Sequence, residues 1–374
     1  MKMNLKQGIF LLVLFLANIQ NVISQEVLSL ARAINNGKIN IIQVETLSER
    51  GIEGINLSKE LNNYSDNIFE FIEQVGYNTI VAKLSDTSRL EYFKSANVLP
   101  PIDAKANTIA IATNYPEHKE ETNVKISPVL FPKVTKLTPY KSNVFLTGNK
   151  ELLDYEVELA VVYSKNVHKI EDLHDQLLGF MVAVDYSDRA SMLKVYDTDH
   201  PELAVGFTDS KSKSGYFPVG PVLVVPENWK SYYKNLKIKL WRNHILTQND
   251  QLRSMFWDVP KVTLEALKLG DEQRWIYNNK PISLLPKGYI EKGTIAITGT
   301  PGGVTFSPPT KGFIIKRAIK YGLLFKFFNW KPKAYVVDQY IRKLLRKKQF
   351  LQEGELIRAH VENLGYIYSK VQSK

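Results

Sequence analysis

Two apolar runs of this chain lack the alternation of apolar and polar residues that marks a half-exposed strand. Leu159–Tyr163 and Gly179–Val184 are apolar on both faces, which predicts strands that are buried on both sides. The shorter run Thr294–Ile297 predicts a further strand. Polar residues at the ends of these strands should therefore lie at the edge of a buried region.

The region before residue 104 has shorter and more mixed elements. Ile39–Val44 and Thr79–Leu84 are typical of strands, whereas Asn67–Val75 has helical spacing and is followed by a glycine that favours a helix end. These patterns predict a small N-terminal α/β domain over 25–103, followed by a larger domain over 104–372.

The first 24 residues have the layout of a secretory signal peptide. A basic start, Met1–Lys6, precedes the compact apolar run Ile9–Ala17, and Val22–Ser24 provides acceptable residues before a cut. The apolar run is short for a membrane span. We expect an exported protein, periplasmic or secreted, and an uncleaved N-terminal membrane anchor is the alternative.

Composition narrows the chemistry. The 374 residues contain no cysteine, which excludes disulfides, thiolate metal ligands and a cysteine nucleophile. The net charge of +11 is local: residues 311–348 carry twelve Lys and Arg and one acidic residue, Asp338, so this segment alone has a net charge of +11. The rest of the chain is electrically balanced.

The basic segment 311–348 also carries aromatic residues, and one face of its second half is apolar, with Val337, Ile341, Leu344 and Leu345 at helical spacing. Stretches of this kind bind anionic membrane surfaces, and we expect such a surface, not nucleic acid, as the partner of an exported protein. The segment could also guide anionic substrates inward. The alternative is a cap that packs its apolar face on the core or on a dimer partner.

Three carboxylates are the candidate metal ligands. Glu156 and Glu158 share one face of a strand because side chains at i and i+2 point the same way. Asp185 directly follows the run Gly179–Val184. Like charges entering a core are costly without a cation between them, and Mg²⁺, Mn²⁺ or Ca²⁺ prefer oxygen ligands. For Glu156 and Glu158, the alternative is a solvated strand end that faces Lys or Arg. For Asp185, the alternative is an N-cap for a helix over 187–193.

Two further motifs predict reactive or binding groups. His118 and Glu121 are three residues apart, so on one helical turn they share a face, and a histidine oriented by a glutamate can activate water. A surface His–Glu pair is the alternative. Thr300 lies in the glycine-rich segment Thr298–Gly303, where it offers a hydroxyl and an amide to a substrate carboxylate.

Taken in order, five segments resemble the fumarylacetoacetate hydrolase family: Asn114–Glu121, Asp154–Leu159, Asp185–Arg189, Lys211 followed by Pro218–Pro221, and Thr298–Val304. Pro128–Lys133, Phe350–Glu355 and Val361–Gly365 add support. The resemblance implies an α+β, β-rich fold of the mixed β-sandwich or roll type, and a homodimer. It also implies an enzyme that cleaves, decarboxylates or isomerises β-diketo and 2-oxo acids on a divalent metal.

The resemblance assigns roles residue by residue. It gives the metal to Glu156, Glu158 and Asp185, the activation of water to His118 with Glu121, and contacts with a small anionic 2-oxo acid to Lys211, Arg189, Thr300 and Tyr115. Lys213 is the rival of Lys211.

The expected function is a metal-dependent hydrolase that cleaves a carbon–carbon bond in a β-diketo or acylpyruvate-type acid. An oxaloacetate-type decarboxylase or enol–keto isomerase is one alternative, and a non-catalytic, envelope-associated metal- or ligand-binding protein is another. Ala190 and Met192 depart from the family pattern, which has Asp and Gln at these places. This departure affects the expected substrate contacts more than the metal.

Overall fold

The computed structural model describes residues 27–84, 89–103, 107–122, 128–148 and 150–374. The predicted signal peptide, 1–24, lies outside these residues. The fold is a β-rich mixture of sheets and helices, which confirms the predicted α+β class.

The strands are β1 (Val27–Asn35), β2 (Lys38–Ser48), β3 (Gly51–Asn56), β4 (Leu90–Lys94), β5 (Val98–Leu99), β6 (Thr108–Ala112), β7 (Val129–Lys133), β8 (Lys141–Leu146), β9 (Leu153–Asp154), β10 (Val157–Tyr163), β11 (Leu178–Val184), β12 (Ser187–Asp188), β13 (Val222–Pro226), β14 (Lys237–Arg242), β15 (Ile245–Gln251), β16 (Trp275–Tyr277), β17 (Lys280–Ile282), β18 (Ile295–Ile297), β19 (Leu356–Val361) and β20 (Gly365–Ser373). The helices are α1 (Leu57–Glu60), α2 (Ile68–Val75), α3 (Tyr77–Val81), α4 (Pro116–Thr122), α5 (Arg189–Val195), α6 (Phe207–Lys211), α7 (Trp229–Tyr232), α8 (Val259–Leu269), α9 (Lys311–Leu323) and α10 (Pro332–Lys347).

A large sheet forms the centre of the protein, in the order β4-β3-β2-β1-β13-β11-β10-β18-β6-β7, with β5 paired to β1. Every residue of β10 and β11 is buried, which confirms the two strands predicted from their unbroken apolar runs. A second sheet, in the order β15-β14-β19-β20-β8, packs against β10 and β11. The core therefore lies between the two sheets.

The N-terminal strands continue the central sheet, because β1 pairs antiparallel with β13. The division into domains at residue 103 stays a prediction. Helix α2 confirms the predicted helix, with the Asn67 side chain accepting from the Phe69 and Glu70 amides and Gly76 at its end.

The predicted strand Thr79–Leu84 is wrong, because the chain forms α3 there. Tyr77, Ile80, Val81 and Leu84 are spaced at i, i+3, i+4 and i+7, and all four pack into the core. This spacing suits one face of a helix. Without Tyr77, the apolar run of 79–84 is too short to distinguish a strand from a helix.

Residues 311–348, called the basic hairpin below, form α9 and α10. Helix α10 buries the predicted apolar face: Tyr340, Ile341 and Leu344 pack on a cluster with Leu152, Ala190, Phe306 and Phe350. Helix α9 has no buried residue. Within the described residues, no helix is long and apolar enough to cross a membrane.

Candidate active site and metal centre

The three predicted metal ligands converge at one end of the central strands. One carboxylate oxygen from each of Glu156, Glu158 and Asp185 lies within 4.8 Å of the others, and all three residues are buried. Strand pairing brings them together: β10 runs antiparallel to β11, and the Asp185 amide donates to the Glu156 carbonyl at 2.8 Å. The residues that leave the two buried strands therefore meet at the same edge.

Three buried cations surround this cluster. The Lys211 ammonium donates to Glu156 at 2.6 Å and to Asp185 at 2.8 Å. The Lys133 ammonium donates to Asp185 at 2.7 Å and also to the Lys211 carbonyl. Arg189 donates to Glu156 and, at 3.0 Å, to Asp154. Glu156 thus faces Lys and Arg, as the alternative interpretation had it, but in a buried setting and not at a solvated strand end.

Lys211 and Arg189 shift the pKa of Glu156. Burial alone would raise the pKa of Glu156, but the charges of Lys211 and Arg189 outweigh it and hold this pKa well below its ordinary value. The pKa of Lys211 is raised, because Asp185 and Glu156 overcome the effect of its burial. The pKa of Lys133 is lowered, because burial outweighs the charge of Asp185.

Glu158 differs from its neighbours. Among the described residues it has no ion pair, and one of its oxygens accepts from the Gly299 amide at 2.5 Å. Burial and the carboxylates of Asp185 and Glu156 raise its pKa well above the ordinary value. Gly299 has a φ of 84°, and a Cβ there would lie 2.9 Å from the Asn114 Cβ, so glycine is needed for this approach.

The donor set fits a divalent cation. Four buried carboxylates, those of Asp154, Glu156, Glu158 and Asp185, face three buried cations, Lys133, Lys211 and Arg189. If all seven groups were charged, the excess would be one negative charge. The raised pKa of Glu158 relieves this excess by favouring its protonated form, and a hard cation with oxygen ligands would take the place of that proton.

His118 and Glu121 lie on α4, as the spacing predicted. The His118 Nδ1 is 3.7 Å from a Glu121 carboxylate oxygen, an ion-pair distance that is too long for a hydrogen bond. The other Glu121 oxygen accepts from the Gly303 amide at 2.7 Å. The His118 ring is buried, and within the described chain its Nδ1 has no hydrogen-bond partner.

Thr300 and Tyr115 are both buried at the site, and their hydroxyls differ in their hydrogen bonding. The Thr300 hydroxyl donates to the Val157 carbonyl at 2.8 Å and accepts from the Gln248 amide at 2.8 Å. It therefore has no proton left to donate to a substrate. The Tyr115 hydroxyl has no hydrogen-bond partner in the part of the chain that the structure describes, and its pKa is raised by burial and by Asp250 and Glu158.

One cavity of about 170 Å³ joins most of the candidates, since it is lined by His118, Glu156, Arg189, Lys211 and Thr300. The rest of the lining is largely apolar, with Met192, Leu193, Tyr196, Phe207, Phe306 and Val337, and it also includes Lys333. The arrangement can hold an anionic group beside the charged residues and an apolar group against the apolar side chains.

The model of the family described as fumarylacetoacetate (FAA) hydrolase C-terminal matches residues 107–372. The chain belongs to the fumarylacetoacetate hydrolase family. Members of this family are metal-dependent hydrolases and isomerases acting on carbon–carbon bonds. The family resemblance and the enzyme class predicted from the sequence are thereby confirmed.

Related proteins and solved structures agree with this assignment. The mitochondrial oxaloacetate tautomerase Fahd2a of Rattus norvegicus is 28% identical over 243 residues, which cover 63% of this chain and 69% of the relative. A fumarylacetoacetate hydrolase from Exiguobacterium antarcticum has a similar structure, with a TM-score of 0.57 and 19% identity over 93% of this chain and 100% of that one. A maleylpyruvate hydrolase from Sphingobium sp. SYK-6, solved with manganese(II) and pyruvate, has a TM-score of 0.54 and 18% identity, over 92% of this chain and 99% of that one. At these identities the solved structures show the shared fold.

The departures from the family pattern lie beside the basic hairpin. Ala190 is buried in the cluster that α10 forms with the core, and Met192 lines the cavity. An aspartate in place of Ala190 would be buried among the apolar side chains of α10, at high cost. The alanine is therefore explained by the hairpin that covers it. The suggested N-cap role of Asp185 is wrong: Asp188 caps α5, accepting from the Ala190 amide at 3.0 Å.

Sequence reasoning missed Lys133, Asp154 and Thr113. Lys133 and Asp154 lie inside two of the matching segments, and a lysine that ends an apolar strand was the available signal. Asp154 positions Arg189 and accepts from the Thr305 and Phe306 amides. Thr113 lines the cavity with a φ of 59°, which is uncommon for a β-branched residue; no sequence pattern marked it.

The two candidate lysines, Lys211 and Lys213, have different partners. Lys211 contacts two of the three clustered carboxylates, whereas Lys213 donates to Glu151 and Asp188, each at 2.7 Å. Lys213 therefore lies outside the carboxylate cluster.

Proposed function

We propose that the protein is a divalent-metal-dependent hydrolase that cleaves a carbon–carbon bond in an acylpyruvate or β-diketo-type 2-oxo acid. Hydrolysis adds the hydroxyl of water to the acyl carbonyl carbon and a proton to the departing carbon, so an acylpyruvate gives a carboxylic acid and pyruvate. The observation that carries the proposal is that His118 opens into the same cavity as Glu156 and Lys211.

Glu156, Glu158 and Asp185 would hold Mg²⁺, with Mn²⁺ or Ca²⁺ as alternatives. A divalent cation in such a site supplies Lewis acidity toward the oxygens of the acid. Lys211 contributes positive charge beside the same oxygens, and its ion pairs with Glu156 and Asp185 fix its position before substrate binds. Preorganised charge of this kind is the most effective form of electrostatic stabilisation.

His118 would take the proton from water, with Glu121 orienting the ring from 3.7 Å. Burial keeps the ring out of bulk water, and the ring lines the same cavity as Glu156 and Lys211. Arg189, the Thr300 backbone amide and Tyr115 would complete the substrate contacts. Of these, Arg189 and Thr300 line the cavity, whereas Tyr115 lies outside its lining and offers a buried hydroxyl that has no hydrogen-bond partner among the described residues.

The apolar part of the lining supports a substrate with an apolar substituent. Met192, Phe306 and Val337 belong to that part, and an acyl chain packed against them would be removed from water. Lys333 lines the same cavity, so a second carboxylate would also find a cation there.

The similarity to a rat oxaloacetate tautomerase favours a second candidate, the interconversion of enol and keto forms of oxaloacetate. That reaction moves a proton within the substrate and consumes no water, so it does not need His118 as a base for water. An oxaloacetate decarboxylase is the third reaction that the same charged end could serve.

The test compares acetylpyruvate with oxaloacetate in the presence of Mg²⁺ or Mn²⁺, with and without chelator. We expect hydrolysis of acetylpyruvate that falls by about 10²–10⁴-fold in His118→Asn, the usual contribution of a general base. The matched control is His200→Asn, a histidine with a 63% exposed side chain, which should keep full activity.

Tautomerisation of oxaloacetate without hydrolysis, at a rate unchanged in His118→Asn, would contradict the proposal and support the second candidate. Metal binding without turnover of either acid would support the non-catalytic alternative.

Export through residues 1–24 and assembly as a homodimer complete the proposal, and both rest on the sequence and on the family resemblance. Size measurement of the purified protein and N-terminal sequencing of protein recovered from the producing cells test them directly.

A further inference from the structure

The basic hairpin exposes an unusual amount of apolar surface. Half of the large, exposed apolar side chains in the described chain, nine of eighteen, lie between Ile314 and Trp330, with exposures from 40% to 77%. Scattered exposed apolar residues are normal, whereas a contiguous patch marks an interaction surface.

Helix α9 carries apolar residues on its outer face as well as on its inner face. Phe313 and Tyr321 face inward, with their rings 5.3 Å and 5.7 Å from those of Tyr340 and Tyr335 on α10. Ile315, Ile319 and Leu323, at i, i+4 and i+8, face outward and are more than half exposed. An ordinary surface helix places its apolar stripe toward the core. This one also presents an apolar stripe to the outside.

The turn after α9 extends the same patch. Phe325, Phe327 and Phe328 are exposed by 65%, 51% and 77%, and their rings contact each other, with centroids 5.8 Å and 4.6 Å apart. Trp330 adds an indole ring that is 40% exposed. Aromatic rings of this kind favour the boundary between water and lipid headgroups.

The charge of the hairpin is almost uncompensated. Its twelve Lys and Arg face one acidic residue, and the ion pair between Arg342 and Asp338 is the one that the described residues form within it. Lys316, Lys320 and Lys326 lie on α9 and in the turn beside the apolar patch. Cations beside exposed apolar residues complement an anionic lipid surface, which takes up both.

We propose that α9 and the turn after it, residues 311–330, dock flat on an anionic lipid bilayer, with Ile315, Ile319, Leu323 and the exposed Phe325, Phe327 and Phe328 in the headgroup region. Helix α10 ties this surface to the enzyme, since its other face is buried in the core cluster. A second copy of the chain is a poorer occupant, because pairing two such hairpins would bring two charges of +11 together.

The proposal also has a consequence for access to the active site. Lys333 and Val337 of α10 line the cavity, so docking would place one wall of the active site close to the lipid surface. The docking does not depend on which reaction the site catalyses.

The experiment is co-sedimentation of the full chain with vesicles of phosphatidylcholine alone or mixed with phosphatidylglycerol, at low and high salt. The test variant combines Ile315→Ser, Ile319→Ser and Leu323→Ser. The control variant combines Ile245→Ser and Leu246→Ser, two residues exposed by 71% and 45% outside the hairpin. Every variant keeps residues 1–24, so any lipid affinity of that segment is common to all.

We expect the wild-type chain and the control to bind the anionic vesicles, with weaker binding at high salt and to phosphatidylcholine alone. The triple variant should partition about tenfold less onto the vesicles, since it lacks the three aliphatic side chains that would insert into the headgroup region. Equal binding of the triple variant and the wild type would overturn the proposal. So would a concentration-dependent dimer that the triple variant loses while no form binds vesicles.

Discussion

Lysine and arginine serve opposite purposes in the active site and in the basic hairpin. In the site, Lys133, Lys211 and Arg189 are buried, and each donates to a carboxylate. In the hairpin, twelve Lys and Arg surround one acidic residue, and large apolar side chains beside them are exposed. Burial makes pairing obligatory for the first group, whereas solvent allows the second group to stay unpaired for an external partner.

The largest expected effect separates two lysines that lie two residues apart. Lys211→Met removes the cation shared by Glu156 and Asp185, so we expect kcat/KM to fall by about 10³-fold. Lys213→Met removes hydrogen bonds to Glu151 and Asp188 outside the cluster. It should cost about 1–3 kcal/mol of stability and leave activity nearly unchanged.

Steady-state kinetics and thermal unfolding of the two variants check this contrast. A comparable loss of activity in Lys213→Met, at a temperature where it is folded, would show that the charged centre is wider than the three carboxylates and their partners.

A second pair of variants distinguishes the two faces of the basic hairpin. Ile341 is 5% exposed and packs in the core cluster, whereas Ile319 is 58% exposed. Ile341→Ala should lower the free energy of unfolding by about 2–4 kcal/mol through the cavity that it leaves. Ile319→Ala should change it by less than about 0.5 kcal/mol.

Chemical denaturation of both variants measures the difference. Equal and large losses of stability would mean that α9 is packed against the protein in solution, and the surface for lipid would then be absent.

The same comparison explains what the sequence could reveal. The buried strands β10 and β11 were predictable because an apolar run without alternation suits no other environment, and Glu156, Glu158 and Asp185 were predictable because they leave those runs. The apolar face of α10 was predictable from helical spacing.

The rest depended on contacts between distant segments. The partners of the carboxylates, Lys133 among them, are set by strand pairing across the sheet, which local pattern does not specify. The outward apolar face of α9 was not predictable for a related reason. The spacing of apolar residues shows that a helix has two faces, but not which face packs against the core. The strand predicted over Thr79–Leu84 was wrong because a few apolar residues fit the periodicity of a strand as well as that of a helix.

The central claim is that Glu158, the carboxylate without an ionic partner among the described residues, completes a site for a divalent cation. Titration of Mn²⁺ into the metal-free protein, followed by calorimetry, tests it most directly in the wild type and in Glu158→Gln. We predict one ion bound per chain in the wild type and binding at least about 100-fold weaker in the variant, in which a charged ligand is replaced by a neutral one. Equal binding by both proteins, or none by the wild type, would contradict the account.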